Sequence, residues 1–350
     1  MPDLYPLILR PQFRERVWGS CDLAPIYSHE ITGSPIGEAW LTGDDCQVAN
    51  GTFAGHTLAE LAEELGAQLL GVSAAKDRRF PLLIKFLFPK DKLSVQVHPD
   101  DESAARAGEP CGKTECWYVL SAEPGAQIAL GLKPGTGKTD VECAIREARL
   151  EQLLNWITIR AGEMYYVEAG TIHAIGPGSV IVETQQNSDT TYRLYDYGRP
   201  RELHIAAGLR AAKEATRAGK VLIGQAENVG GKRQQNLITS PCFIVDKFQL
   251  ARAWQFQRPQ HLRRSVWCLV VLRGYGILEY EGLPPQVFSA GEALVVPAAV
   301  DRFILKPQWE LEFLCSSLPV ENVGHPATIP VNQGWEQQAP AQVEHRRLCE

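Results

Sequence analysis

The chain has 350 residues, 45% of them hydrophobic and 22% charged, with a net charge of −6. At roughly 100–200 residues per domain, this length predicts two domains or one large one, with a core that needs no covalent staples. The mild acidity excludes a polyanion such as nucleic acid, whose footprint is basic, but not a small anionic substrate that needs only a few local cations.

In chain order, the opening segment MPDLYPLILRPQF has no basic stretch ahead of an apolar run and is interrupted by proline, so it does not read as a signal peptide. No run approaches about 18 apolar residues, which predicts no membrane span. Leu58, Leu61, Leu65 and Leu69 recur at spacings of three or four and predict an amphipathic helix over 57–70. A second helix is expected over 139–155, with Thr139 as N-cap and Ile145, Leu150, Leu153 and Leu154 on one side. A third is expected over 205–213. Short runs rich in Val, Ile, Tyr and Phe, punctuated by Gly and Pro, predict strands at 93–98, 116–120, 163–167, 179–184, 265–272 and 293–297.

Many short strands and few helices predict a mainly β fold of the sandwich or jelly-roll kind. No dinucleotide-binding glycine pattern or P-loop occurs; Gly135-Thr136-Gly137-Lys138-Thr139 lacks the required gap. The polar stretch 225–236 separates two β-rich regions. The expected domains are therefore 1–230 and 231–318, followed by a tail, 319–350, that wraps over the surface or frays. Nine scattered cysteines without a CxxC pair predict reduced thiols in a cytoplasmic protein.

One internal similarity stands out. Gly162-Glu163-Met164-Tyr165-Tyr166-Val167 through His173 can be laid over Gly291-Glu292-Ala293-Leu294-Val295-Val296 through Arg302 at a constant offset of 129. This reads as one hairpin used twice, which argues for two related β-barrels. The first copy resembles the second cupin motif, whose histidine binds metal. Upstream, Ser94, Gln96 and His98 alternate with Leu93, Val95 and Val97, so a strand would turn the three polar side chains to one face. Lys113 and Glu115 share a face in the same way. Two imidazoles, a carboxylate and an amide oxygen can hold zinc or a similar divalent ion. The second copy lacks these residue types: Trp267, Val270 and Tyr275 occupy the corresponding strands and Arg302 stands at the histidine. It is expected to bind no metal and to pack against the first barrel.

The strings LLIKFLFPKDKLSVQVHPDD, GKTECWYVL, EAGTIHAIGPG and ETQQNSDTTYRLYDYGR resemble type I mannose-6-phosphate isomerase in its compact bacterial form. Arg16-Val17-Trp18-Gly19 is similar to the family's opening element. The resemblance implies two cupin-type jelly-roll β-barrels with a few short helices. It implies one Zn2+ per chain, in the first barrel, with Gln96, His98, Glu115 and His173 as ligands. It implies a monomer that interconverts mannose 6-phosphate and fructose 6-phosphate through a cis-enediol. Catalysis would then use Arg193 at the developing oxyanion and Glu183 as the leading candidate for the proton-shuttling base, with Lys113 as its rival. Ser94, Lys113 and Lys85 would meet the substrate and its phosphate, and Asp189 would orient Arg193 or assist ring opening.

Glu183 could instead form a buried ion pair with Arg193, and Lys85 could be a solvated lysine facing outward. Arg199, Arg201 and Glu202 read as surface charges, and Trp18 as a wall of the site. The six histidines outside the two motifs read as structural or surface. The competing functions are a non-catalytic sugar-phosphate-binding or regulatory cupin and a cupin oxygenase; the amide of Gln96 suits the three-imidazole iron of the latter poorly.

Overall fold

Two-residue alternation of apolar and polar side chains sets most of the architecture. A computed structural model describes residues 4–72, 74, 78–258, 265–319 and 329–332. Most of the predicted tail, and His261, His325 and His345, lie outside the described residues, as does the side chain of His29.

An eight-stranded antiparallel sheet runs in the order Gln12–Leu23, Tyr27–Trp40, Leu82–Leu87, Ser179–Gln186, Glu115–Ala122, Met164–Val167, Ala218–Val221, Val331–Asn332. It faces a five-stranded sheet, Tyr192–Tyr195, Val95–Val97, His173–Ile175, Gln127–Leu132, Leu154–Thr158. Trp117, Tyr165 and Val167 from the first meet Ile128, Leu130 and Ile175 from the second. A second pair of sheets, seven- and four-stranded, encloses a separate core of Phe256, Leu269, Leu294, Phe303 and Phe313. The fold is thus mainly β, with two cupin-type sheet pairs and a few short helices, as the sequence implied. Two short strands cross between them. Leu7–Leu9 pairs with Ala293–Val296 in the seven-stranded sheet, and Val331–Asn332 pairs with Ala218–Val221 in the eight-stranded one. Residue 230, where the division is expected, lies in the turn of a hairpin, Glu227–Val229 with Lys232–Thr239, both of whose strands belong to the seven-stranded sheet.

The helices are shorter than the apolar spacing predicts. The expected 57–70 helix is two, Leu58–Leu65 and Ala67–Leu70, broken at Gly66, whose φ of 47° is not helical. Thr57 and Glu60 close a reciprocal cap at its start. The 139–155 expectation needs more correction. The helix is Lys138–Arg146, capped at Gly137, not Thr139; the Asp140 carboxylate accepts from the Gly137 N–H at 2.9 Å. Ala148, at φ 53°, ends that run. Leu150 then falls in a 3-10 turn and Leu154 opens a strand. Pairing with the strand Gln127–Leu132, which makes Leu154–Thr158 the edge of the five-stranded sheet, satisfies that backbone better than more helix would. The third helix, Ile205–Ala211, lies within the expected range.

The internal repeat holds and then slips. Met164–Val167 and Ala293–Val296 are equivalent strands at the offset of 129, and their inward residues, Tyr165 and Val167 against Leu294 and Val296, match. The next strands also start in step, at His173 and Arg302. Their faces differ, however. His173 and Ile175 point inward in the first, while Phe303 and Leu305 point inward in the second. Arg302 is therefore not the replacement of the histidine. It is exposed and pairs with Glu281 at 3.1 Å.

Candidate metal centre and substrate cavity

Three strands converge on one buried point between the eight- and five-stranded sheets. His173 lies opposite Gln96 in the five-stranded sheet, and Glu115 lies opposite Val167 in the eight-stranded one. Gly112 sets the approach of the segment carrying Lys113 and Glu115: a Cβ there would stand 2.6 Å from the Asp100–Asp101 backbone. The Lys113 N–H then donates to Pro99 O, and the Gly170 N–H to His98 O, which ties the three segments together.

His98 Nε2 lies 3.6 Å from one oxygen of Glu115, and His173 Nε2 lies 3.3 Å from the other. All three side chains are buried. Their ring and carboxylate atoms lie close enough together to hold one metal ion. Each Nδ1 donates to a carbonyl, His98 to Thr190 O and His173 to Thr171 O, both at 2.9 Å. That fixes the tautomers and turns both Nε2 lone pairs toward Glu115. Burial lowers both imidazole pKa values, His173 to about 4, so the rings are neutral and able to ligate. Burial pushes the Glu115 carboxyl up to about 8, with the nearby Glu183 adding to the rise. His98 Nε2 and both Glu115 oxygens have no hydrogen-bond partner. Buried polar atoms left unpaired in this way are costly, and a divalent cation among them would satisfy all three. Gln96 completes the ring, with Nε2 3.3 Å from His173 Nε2 and Oε1 accepting from the Ser94 hydroxyl at 3.3 Å. A half-turn of this amide presents the oxygen instead.

A polar cavity of about 390 Å³ opens beside this cluster. Ser94, Gln96, Lys85, Lys113, Glu183, Asp189 and Arg193, all named from the sequence, line it together with Trp18. A wider groove of about 1060 Å³ lies between the helices Asp101–Ala107, Lys138–Arg146 and Ile205–Ala211. None of its polar side chains is buried, so the smaller cavity is the better candidate.

Four readings of charge need correction. Lys85 does not face solvent: it is buried, and its Nζ sits 2.9 Å from Glu183 Oε2. Glu183 is therefore paired with Lys85, not with Arg193. The Trp117 indole donates to its other oxygen at 3.0 Å. Burial alone would raise Glu183, but Lys85 and Lys113 override it and hold the carboxyl at about 2. Asp189 is exposed, and no contact of it with Arg193 is seen. Arg193 instead donates Nη1 to Glu202 O and its backbone N–H to His204 Nδ1. Nor are Arg199 and Arg201 loose surface charges: both fork onto the buried Asp196.

Sequence reasoning missed Glu38 and Asp196, and it gave Arg16 and Arg201 no place in the cavity. Arg16 and the Trp40 indole both donate to Glu38 Oε2, at 2.9 and 2.7 Å, on the cavity wall. The alternation of Glu38 and Trp40 in Gly37-Glu38-Ala39-Trp40 was a signal available in the sequence; nothing in the spacing marked Asp196.

Among known proteins, the family model described as "Phosphomannose isomerase type I, catalytic domain" matches residues 7–129. The mannose-6-phosphate isomerase of Streptococcus mutans is 36% identical over 311 residues, 84% of this chain and 93% of that one. The mannose-6-phosphate isomerase ManA of Bacillus subtilis is 34% identical over 318 residues, 86% of this chain and 96% of that one. A crystal structure of mannose 6-phosphate isomerase from Bacillus subtilis superimposes with a TM-score of 0.80 at 33% identity, covering 90% of this chain and all of that one.

Proposed function

The chain belongs to the type I phosphomannose isomerases, and on that premise we propose that it is a zinc-dependent enzyme interconverting mannose 6-phosphate and fructose 6-phosphate through a cis-enediol. Family membership favours turnover over the non-catalytic cupin reading. The observation that carries the proposal is the buried convergence of His98, Glu115 and His173, with unpaired ligand atoms, on the wall of a polar cavity.

Gln96, His98, Glu115 and His173 would hold the ion, one per chain, in the first sheet pair. When bound, zinc supplies a fixed positive charge next to the sugar oxygens that become anionic. The rest falls to the chain. In the isomerisation one proton passes from C2 to C1 and another from the O2 hydroxyl to O1, so composition does not change. A base must carry the carbon-bound proton. Both oxygens of Glu183 are engaged and its carboxyl is held far below neutrality, which makes it a weak base. In this reading Lys113, with its Nζ 3.6 Å from Glu115, moves the proton, while Lys85 and Glu183 set the charge around it. Arg193 donates to the developing oxyanion. Ser94 and Asp189 meet the sugar hydroxyls from the cavity wall. Trp18 and Leu93 close off water there.

Further parts of the proposal are that residues 231–318 form a metal-free support, that the enzyme is monomeric, and that it works in the cytoplasm. The described cysteines are all free thiols, which agrees with a reducing compartment. No helix among the described residues is long and apolar enough to cross a membrane.

The test is a coupled assay for fructose 6-phosphate alongside elemental analysis. Zinc near one ion per chain with turnover supports the reading; folded, zinc-loaded protein without turnover refutes it. Glu115→Gln should lose metal and activity together while the fold survives.

A further inference from the structure

The rim of the cavity carries more positive charge than its buried carboxylate neutralises. Arg193, Arg199 and Arg201 gather there around Asp196. Arg199 is fully engaged: its Nε and Nη2 are on Asp196, Nη2 also reaches Lys92 O, and Nη1 reaches Asp91. Arg201 is different. Its Nε and Nη2 grip the two Asp196 oxygens at 2.7 and 2.6 Å, and its Nη1 has no partner among the described residues. Arg201 lines the cavity together with Arg193 and Thr191. Arg193 Nε is buried and also unpartnered. Burial, and then the neighbouring charge of Arg201, lower the Arg193 pKa against the opposing pull of Asp196 and Glu202.

The cations at the deep end are committed. Lys85 is bound to Glu183 and Lys113 stands beside Glu115. A substrate with a reactive carbonyl end and an anionic end therefore meets the metal ligands and Arg193 at one end and the free edge of Arg201 at the other. Arg199 is offset by Asp91 as well as by Asp196, so the donor left over at the rim is the free edge of Arg201, which suits a phosphate oxygen.

We propose that Arg201, oriented by Asp196, receives the phosphate of the substrate at the cavity rim, with the reacting carbons directed toward the His98–Glu115–His173 cluster. This rests on the isomerase reading and adds to it a residue that fixes the anionic end. Asp196 is a positioning residue: gripping Nε and Nη2 leaves Nη1 as the edge presented to the ligand.

The experiment compares wild type, Arg201→Ala and Arg201→Gln by steady-state kinetics on mannose 6-phosphate and by competitive inhibition with inorganic phosphate. Arg201→Gln keeps a donor for Asp196 and removes the charge. KM and the phosphate inhibition constant should rise together by about 10- to 100-fold, the loss expected for a charge-assisted contact. The kcat should stay within about threefold, because the contact is the same in ground and transition states. A folded variant in which both constants stay within about twofold of wild type overturns the assignment. So does a fall in kcat without a rise in KM.

Should neither variant fold, phenylglyoxal labelling of the wild-type enzyme, mapped by mass spectrometry, decides. Inorganic phosphate should slow labelling of Arg201 but not of the exposed Arg106; equal rates overturn the proposal. Wild-type enzyme that fails to turn over mannose 6-phosphate refutes the isomerase reading itself, a result distinct from any change confined to the Arg201 variants.

Discussion

Lys85→Met is the perturbation with the clearest energetic signature. The Lys85–Glu183 pair is 2.9 Å long, and its side chains are only 3% and 6% exposed. Removing the ammonium strands a buried carboxylate that keeps the Trp117 N–H and the more distant Lys113 as its compensation. Breaking a buried pair from one side costs about 3–5 kcal/mol, since the remaining charge has already lost its hydration. Glu183→Gln strands the buried lysine in the same way, although Glu38 nearby softens the loss. The double variant removes both charges, and a glutamine can still accept from Trp117, so it should lie close to the milder single variant. The coupling between the two positions should therefore be about 2 kcal/mol or more. Urea unfolding of all four proteins at neutral pH measures it. If the two single losses sum to the double loss within about 0.5 kcal/mol, the pair is not the buried unit described here. None of the three variants should keep normal kcat, because each disturbs the charge around Lys113.

Three further outcomes are expected. Arg193→Ala should keep its metal and lose about 100- to 1000-fold in kcat, the usual loss for one oxyanion donor; near-normal kcat with full metal occupancy removes Arg193 from the catalytic set. Burial would raise the Glu163 carboxyl, but Lys220, Tyr165 and the Arg160 N–H hold it below its ordinary value. Its stabilising contribution is thus complete above the unfolded value of about 4.3 and is lost as pH falls through the lower folded value; Glu163→Gln should lower Tm at neutral pH and make Tm fall less on acidification, and parallel acid limbs would contradict this. Arg258, buried in the second core, donates to Ser265 O and Val296 O and lies 4.3 Å over the Trp267 ring. Arg258→Leu should cost about 2–4 kcal/mol by leaving two carbonyls unpaired, read by thermal unfolding; an unchanged Tm would mean that those carbonyls find other donors.

The convergence of His98, Glu115 and His173 was legible because these residues sit within short strand motifs, where a period of two dictates the face. Ser94, Gln96 and His98 needed no tertiary knowledge to be grouped. Lys85 was not legible in this way. It interrupts an apolar strand, and nothing local says that Glu183 lies directly opposite it on the neighbouring strand. Arg201 and Asp196 were hidden for the same reason: their pairing depends on how the loop after Tyr192–Tyr195 folds back, not on a repeat. The helix over 139–155 failed differently. Its leucines satisfied helical spacing, yet a sheet edge nearby offered backbone partners from Leu154 onward. Propensity is a weak prior against such tertiary pairing.

The second sheet pair explains why the strands that line the cavity can carry so much buried charge. Its inward cross-strand pair is Phe256–Phe303, rings stacked at 5.1 Å, where the first has Gln96–His173. Trp267 lies opposite Val296 as Glu115 lies opposite Val167. The one-residue slip after Val296 turned Arg302 out to solvent and Phe303 in, so no single substitution on that strand recreates the first cluster. The outward face of this sheet pair meets the back of the eight-stranded sheet. Cys116, Tyr118 and Val182 pack in one core with Cys268, Val270 and Val295. Lys247 donates to the Tyr118 hydroxyl at 2.7 Å, and Thr184 and Ser316 hydroxyls meet at 3.4 Å. These residues alternate with Glu115, Trp117 and Glu183 on the same two strands. The period of two therefore splits each strand into a face anchored by the second core and a face that presents the site. The charged face cannot relax by moving its backbone, because the opposite face is held in a close-packed interior. That rigidity keeps the Glu115 oxygens, which have no hydrogen-bond partner, converged with the imidazoles, where a cation gains most from them.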